Sequence, residues 1–170
     1  MEKYSIKKKV DHEIDLLLST VRDFAVKELF ELIKTEQCLV YPVTDKSLIA
    51  GRYHINFNEL EQAWVVSNYY DEIIHNFYSK STAVYYAIAM IKQKYTLADD
   101  LLKKDKIFQS SRAEFILYDG RLKTATKTND DFKLNLYVCK FEEARSKLKR
   151  AVNELEKTLK TAKYLNKSGI

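Results

Sequence analysis

Apolar and aromatic side chains recur in alternating steps of four and three between Tyr70 and Leu102. The series is Tyr70, Ile74, Phe77, Ser81, Val84, Ile88, Ile91, Tyr95, Ala98 and Leu102. Such spacing places one continuous stripe along a helix, the seam of a coiled coil. A second series follows: Leu134, Val138, Phe141, Arg145, Leu148, Val152, Leu155, Leu159 and Ala162. Two long helices with matching seams bury them most simply against each other. The chain has only three Gly and one Pro, where average usage gives about a dozen and about eight. Long unbroken helices are therefore expected.

The remaining segments are placed around these two helices. Residues 4–36 read as an N-terminal helix, with Ile6, Val10, Ile14, Leu17, Val21 and Phe24 on one face. Its apolar content spreads over more than one face, which predicts assembly into a homo-oligomer. Cys38-Leu39-Val40-Tyr41, Pro42, a Thr44-Asp45-Lys46 turn and an extended run to Phe57 read as a small β-hairpin. Asn58 caps the first seam helix, with Glu59 and Glu61 suited to its N-terminal dipole. That helix is expected to run to about Lys104. Asp105 to Ser110 reads as a break, and Ser111-Arg112-Ala113-Glu114 as a capping box opening a shorter helix. Phe115, Tyr118, Leu122 and Ala125 give the shorter helix its stripe. Thr128 to Asp131 caps the last helix, which ends near Asn166. The expected fold is mainly α: a long antiparallel coiled-coil-like helical hairpin over 58–170, with an N-terminal helix and small β-hairpin over 1–57, all one domain.

The chemistry of known catalytic motifs is missing. The sequence has no glycine-rich phosphate loop, no HExxH, no GxSxG and no Cys/His cluster. His12, His54 and His75 are scattered, and His75 reads as an exposed helix residue. Asp99-Asp100 and Asp130-Asp131 read as helix surface and helix cap rather than metal ligands. Cys38 and Cys139 form no CxxC and suit a reducing compartment. The longest apolar run, Ala83 to Ile91, is too short to span a bilayer. The reading is a cytoplasmic, non-enzymatic protein without cofactor or metal. Ser81 and Arg145 interrupt the seams, as residues that fix register do, although an outward Arg145 would bind phosphate.

Charge is the positive signal. The chain carries a net charge of +5, and ten basic residues face four acidic ones between 133 and 170. Lys140, Arg145, Lys147, Lys149, Arg150, Lys157 and Lys160 make a track for a phosphate backbone, or a solvated coiled-coil exterior. Six of the twelve tyrosines lie between Tyr69 and Tyr95. Tyr85 and Tyr86 flank the seam, where they would stack unpaired bases or line a subunit interface.

Ile55-Asn-Phe-Asn-Glu-Leu60-Glu-Gln-Ala-Trp64, then Tyr69-Tyr70-Asp71-Glu72, leads into the first seam helix. This arrangement resembles bacteriophage recombination mediator proteins, the UvsY family. The likeness continues through the Leu101 to Lys106 break, the Ser111 to Tyr118 cap and helix, and Asp131-Phe132 before the last helix, covering residues 55–165. The proline usual in that family just after the Trp is absent here, and residues 1–54 have no counterpart in it. The resemblance implies a non-enzymatic homo-oligomer that binds single-stranded DNA. Such a protein helps a RecA-like recombinase displace single-strand-binding protein in the host cytoplasm. The alternative is a structural, adaptor or inhibitor protein acting by protein contact, as a phage virion component or a binder of a host factor.

Overall fold

The computed structural model describes residues 40–68, 70 and 72–167. Five strands come first: β1 Val40–Thr44, β2 Ser47–Ala50, β3 Tyr53–Asn58, β4 Ala63–Ser67 and β5 Ile73–Phe77. They form one antiparallel sheet in sequence order. Three helices follow, labelled here α1 Lys80–Ile91, α2 Tyr95–Thr128 and α3 Asp131–Lys167. The mainly α expectation is thereby corrected: an antiparallel sheet occupies the place of the first half of the first seam helix. The predicted helix over 4–36 lies outside the described residues.

Local side-chain bonds explain the sheet. Asn58 does not cap a helix. Its Oδ1 accepts the backbone N–H groups of Leu60 and Glu61, at 3.0 and 3.2 Å, and Gln62 takes a left-handed φ of 51°. The chain thus turns back, and β3 pairs with β4 in the register Ile55↔Val66 and Phe57↔Trp64. Asn68 repeats the device, accepting from Tyr70 and Glu72 N–H at 2.9 and 3.1 Å, before β5. Such asparagine turns compete with helix for the same backbone donors. Of the expected first seam, Ile74 and Phe77 lie in β5. Being three residues apart, they point to opposite faces of the sheet.

One face of the sheet is apolar. Leu48, Ile55 and Val66 stand in one cross-strand row and are fully buried. Against this face lies α1, buried at every position from Ser81 to Ala89. Its Ser79 N-cap accepts the Thr82 N–H at 3.2 Å. A helix buried all round must be covered on two sides. Here β2 to β5 lie on one side, and both α2 and α3 on the other.

The expected break at Asp105 to Ser110 is absent, because α2 runs through it without interruption. Its seam is Leu97, Leu101, Lys104, Phe108, Ser111, Phe115, Tyr118, Leu122 and Ala125, again in steps of four and three. Ser111 is therefore a seam residue, 8% exposed, rather than a cap. The helix ends at Asn129 in the left-handed region, φ 52°. Asp130 then caps α3 by accepting the Lys133 N–H at 3.1 Å. The two helices pack antiparallel about this turn. Phe115 meets Phe141 at 4.9 Å between ring centroids. Lys147 reaches Glu114 at 3.0 Å and Lys104 reaches Glu154 at 3.3 Å. On α3 the buried line is Phe141, Ala144, Leu148, Ala151, Leu155, Leu159 and Ala162, with Val152 beside it.

Candidate nucleic-acid interface

Burying that line on α2 turns the opposite side of α3 to solvent. The outward positions again follow steps of four and three: Phe132, Leu136, Cys139, Glu143, Ser146, Arg150, Asn153, Lys157, Lys160 and Tyr164. All ten are exposed. Charge along them is segregated. Glu143 lies in the half nearer the hairpin turn, and Arg150, Lys157 and Lys160 lie in the other half, with the exposed Glu142 and Lys149 beside them. Lys149 to Lys160 spans about 16 Å at 1.5 Å per residue.

The seven basic positions expected to bind phosphate are not equivalent. Lys149, Arg150 and Lys160 are exposed and enter no ion pair among the described residues. Lys157 is exposed and pairs with Glu154 at 3.1 Å. Glu154 also receives Lys104. Hydrogen bonds and charge from these two lysines hold its carboxyl below the usual range. Lys147 is directed into the hairpin side, across to Glu114. Lys140 pairs with Glu143 at 3.3 Å, in the acidic half. Arg145 is half-buried on the flank, 3.5 Å from Glu142. Ala144, not Arg145, fills the seam. Four residues, Lys149, Arg150, Lys157 and Lys160, thus form one basic strip, and three stand apart from it. Between α2 and α3 the strip borders a shallow groove of about 320 Å³, lined by Lys104, Ile107, Ser111, Lys147, Arg150 and Glu154 among others.

The two tyrosines do not serve as stacking platforms. Tyr85 is 1% exposed and Tyr86 4%. Both sit in α1, which the sheet and the hairpin enclose. Tyr86 packs its ring on Phe77 at 5.0 Å and meets the edge of His75 at 5.5 Å. Burial raises its hydroxyl pKa, helped by Tyr53 and Asp99. A base cannot reach either ring. Ser81, expected as a polar seam residue, is fully buried in the same helix, and its hydroxyl has no hydrogen-bond partner. The tyrosine that does belong to the outward line of α3 is Tyr164, 71% exposed. Its signal in the sequence is the same heptad spacing, read on the outer face.

His75 is half-buried beside Tyr86. Burial and Lys106 lower its pKa, while Asp99 acts in the opposite sense. No group of three or more His, Cys, Asp or Glu side chains among the described residues is arranged to hold a metal ion. Asp105, which reads in the sequence as part of a helix break, is fully buried. Its carboxylate accepts the Tyr78 N–H at 3.3 and 3.4 Å and the Gln109 amide at 2.5 Å. Its role is to join α2 to the junction between β5 and α1. No helix among the described residues is long and apolar enough to cross a membrane. Comparison of the chain with protein-family models, with curated proteins and with solved structures finds no match.

Proposed function

We propose that the chain is a non-enzymatic, oligomeric protein of the host-cell cytoplasm that binds single-stranded nucleic acid through α3, in the manner of a phage recombination mediator. The observation that carries the reading is the strip Lys149, Arg150, Lys157 and Lys160, four cations on one exposed helix face with no acid among the outward positions beyond Ser146. Neutralising phosphates along such a strip releases condensed counterions, and that release supplies most of the affinity for a polyanion. The choice of an unpaired strand is supported by the resemblance over residues 55–165. Burial of Tyr85 and Tyr86 leaves Tyr164 as the aromatic on the strip.

The test is an anisotropy titration of a labelled single strand at two salt concentrations. Changing Lys149, Arg150 and Lys160 to Glu should weaken binding strongly and flatten the salt slope by about 0.7 for each phosphate no longer neutralised. Lys147 is left in place, because a Glu there would face Glu114 across the hairpin. No measurable binding by the native chain at low salt would dispose of the reading. Equal binding to duplex would keep the polyanion and remove the preference for a single strand.

A second reading has its own observation. Phe132 is 80% exposed, and Ile116, Leu117, Leu136 and Val138 each exceed 40%, all in the half of the hairpin nearer its turn. Apolar surface concentrated in one region marks a protein contact. An adaptor or inhibitor that docks on a host or virion protein would use it. Capture of that partner should then survive nuclease treatment and fail in the Phe132→Ser, Leu136→Ser double variant.

A further inference from the structure

The outward line of α3 is complementary to itself. Taken from the hairpin turn, it begins with Phe132, Leu136 and Cys139, passes Glu142 and Glu143, reaches Ser146, and continues with Lys149, Arg150, Lys157, Lys160 and Tyr164. On the ten outward positions the acid, Glu143, lies before Ser146 and the three bases, Arg150, Lys157 and Lys160, lie after it; beside them Glu142 and Lys149 follow the same order, whereas Lys140 and Glu156 reverse it. We propose that a second copy of this chain lies antiparallel on this face, with the two-fold axis close to Ser146. The inference rests on the oligomeric part of the function proposed above and not on its nucleic-acid part.

An isologous interface requires that residue i of one copy meet residue j of the other, and j meet i. Inversion about Ser146 does this for the four charges nearest the axis. Glu142 and Glu143 of each copy come opposite Arg150 and Lys149 of the other, so both of these acids face a base. Phe132 comes opposite Lys160, whose aliphatic stem covers the apolar ring while the ammonium group stays in water; Leu136 comes opposite Glu156, next to Lys157. The small Ser146 sits at the crossing, where two helix backbones approach most closely. The spacing also fits: steps of four and three are the repeat of a seam that stays in contact with a partner helix. Glu142 and Glu143 already pair along their own helix with Arg145 and Lys140, at 3.5 and 3.3 Å. Such exposed pairs contribute little, and each carboxylate has lone pairs left for a cation from the other copy. A parallel arrangement would instead set Glu143 against Glu143 and Arg150 against Arg150.

The experiment is sedimentation of the full chain with charge-reversed variants, each checked for native helicity by circular dichroism. All four altered positions are exposed, so the fold is retained. The native chain is expected as a dimer. Glu142→Lys with Glu143→Lys should raise the dissociation constant by about tenfold or more, and so should Lys149→Glu with Arg150→Glu. The four changes together restore the complementarity with signs exchanged and should return it to within about threefold of native. A strand and a second copy compete for Lys149 and Arg150, and the four-fold variant separates them: it regains self-association but not the phosphate contacts of these two residues. The two proposals therefore fail separately.

Thiol cross-linking locates the axis. In a Cys38→Ser, Cys139→Ser background, Ser146→Cys should be joined between copies by a short bifunctional thiol reagent. The native Cys139, an exposed free thiol, should not be joined when it is the lone cysteine, because two copies of it lie about 21 Å apart along the pair. A monomer at tens of micromolar, no rescue by the combined reversal, or cross-linking at Cys139 in preference to Ser146→Cys would each overturn the proposal.

Discussion

Asp105 is the most heavily constrained polar residue in the described structure. Burial raises its carboxyl pKa to about 6, against the opposing effect of the Gln109 and Tyr78 hydrogen bonds. An acid whose folded pKa is raised binds its proton more tightly in the folded state than in the unfolded one. Its ionised form therefore costs stability at neutral pH. That cost disappears as pH falls through about 6 and is gone near 4, where both states are protonated. The difference of roughly two pKa units corresponds to about 3 kcal/mol at most. Asp105→Asn keeps an acceptor for the Tyr78 N–H and carries no charge. Urea denaturation at pH 7.5 should find it more stable than the native chain by about 1–3 kcal/mol, with the gain vanishing toward pH 4. Asp105→Ala should instead lose about 1–3 kcal/mol from the unpaired Tyr78 N–H. Equal behaviour of the two variants would show that the raised pKa has no energetic consequence. Gly51 is constrained by space rather than charge. At φ +55° in the β2–β3 turn, a Cβ there would lie 2.7 Å from the Ile91 Cδ1 atom of α1. Gly51→Ala should lower the thermal midpoint, and an unchanged midpoint would mean that α1 shifts freely on the sheet.

Among the elements, the hairpin seam decides which apolar residues carry stability. Phe141 is 2% exposed against Phe115, whereas Val138 is 41% exposed. Phe141→Ala should cost about 3–5 kcal/mol, and Val138→Ala within about 0.5, by the same denaturation. Comparable destabilisation by the two would restore the seam as the spacing alone suggests it. The contrast shows what was legible in the sequence. The start of α3 and its cap were readable, because Asn129 and Asp130 offer a left-handed residue followed by a side-chain acceptor. The seam was readable only to within one residue. Val138, Arg145 and Val152 satisfy the spacing as well as Tyr137, Ala144 and Ala151 do, and small alanines bury without announcing themselves by hydrophobicity. The sheet was mostly illegible for a different reason. Asn58 and Asn68 accept N–H groups two to four residues on, as a helix cap also does, and only the pairing of distant strands decides which follows. The basic strip was legible as a charge excess. Its restriction to four of seven expected residues depended on which side faces α2, and burial of Tyr85 and Tyr86 depended on the unforeseen sheet.

At the scale of the molecule, burial is concentrated at one end. Beyond Phe115 the buried residue of α2 is Ala125, and none before Phe141 is buried in α3. Native-state hydrogen exchange should find amides of 81–89 far more protected than those of 118–140, since local opening near the hairpin turn exposes little apolar surface. Uniform protection would mean that the distal half is covered in solution, and loss of that protection in the charge-reversed variants would identify a second copy as the cover. The order of the strands has a further consequence. Each strand pairs with its neighbour in sequence, α1 follows onto the sheet, and α2 and α3 close on one another across a short turn. No described element waits for a distant one before it has a partner. A chain arranged in this way can acquire structure progressively as it leaves the ribosome, and its refolding from urea is expected to be rapid and single-exponential. Of the described elements α3 emerges last, so the helix that carries the basic strip is added to a sheet and two helices already formed.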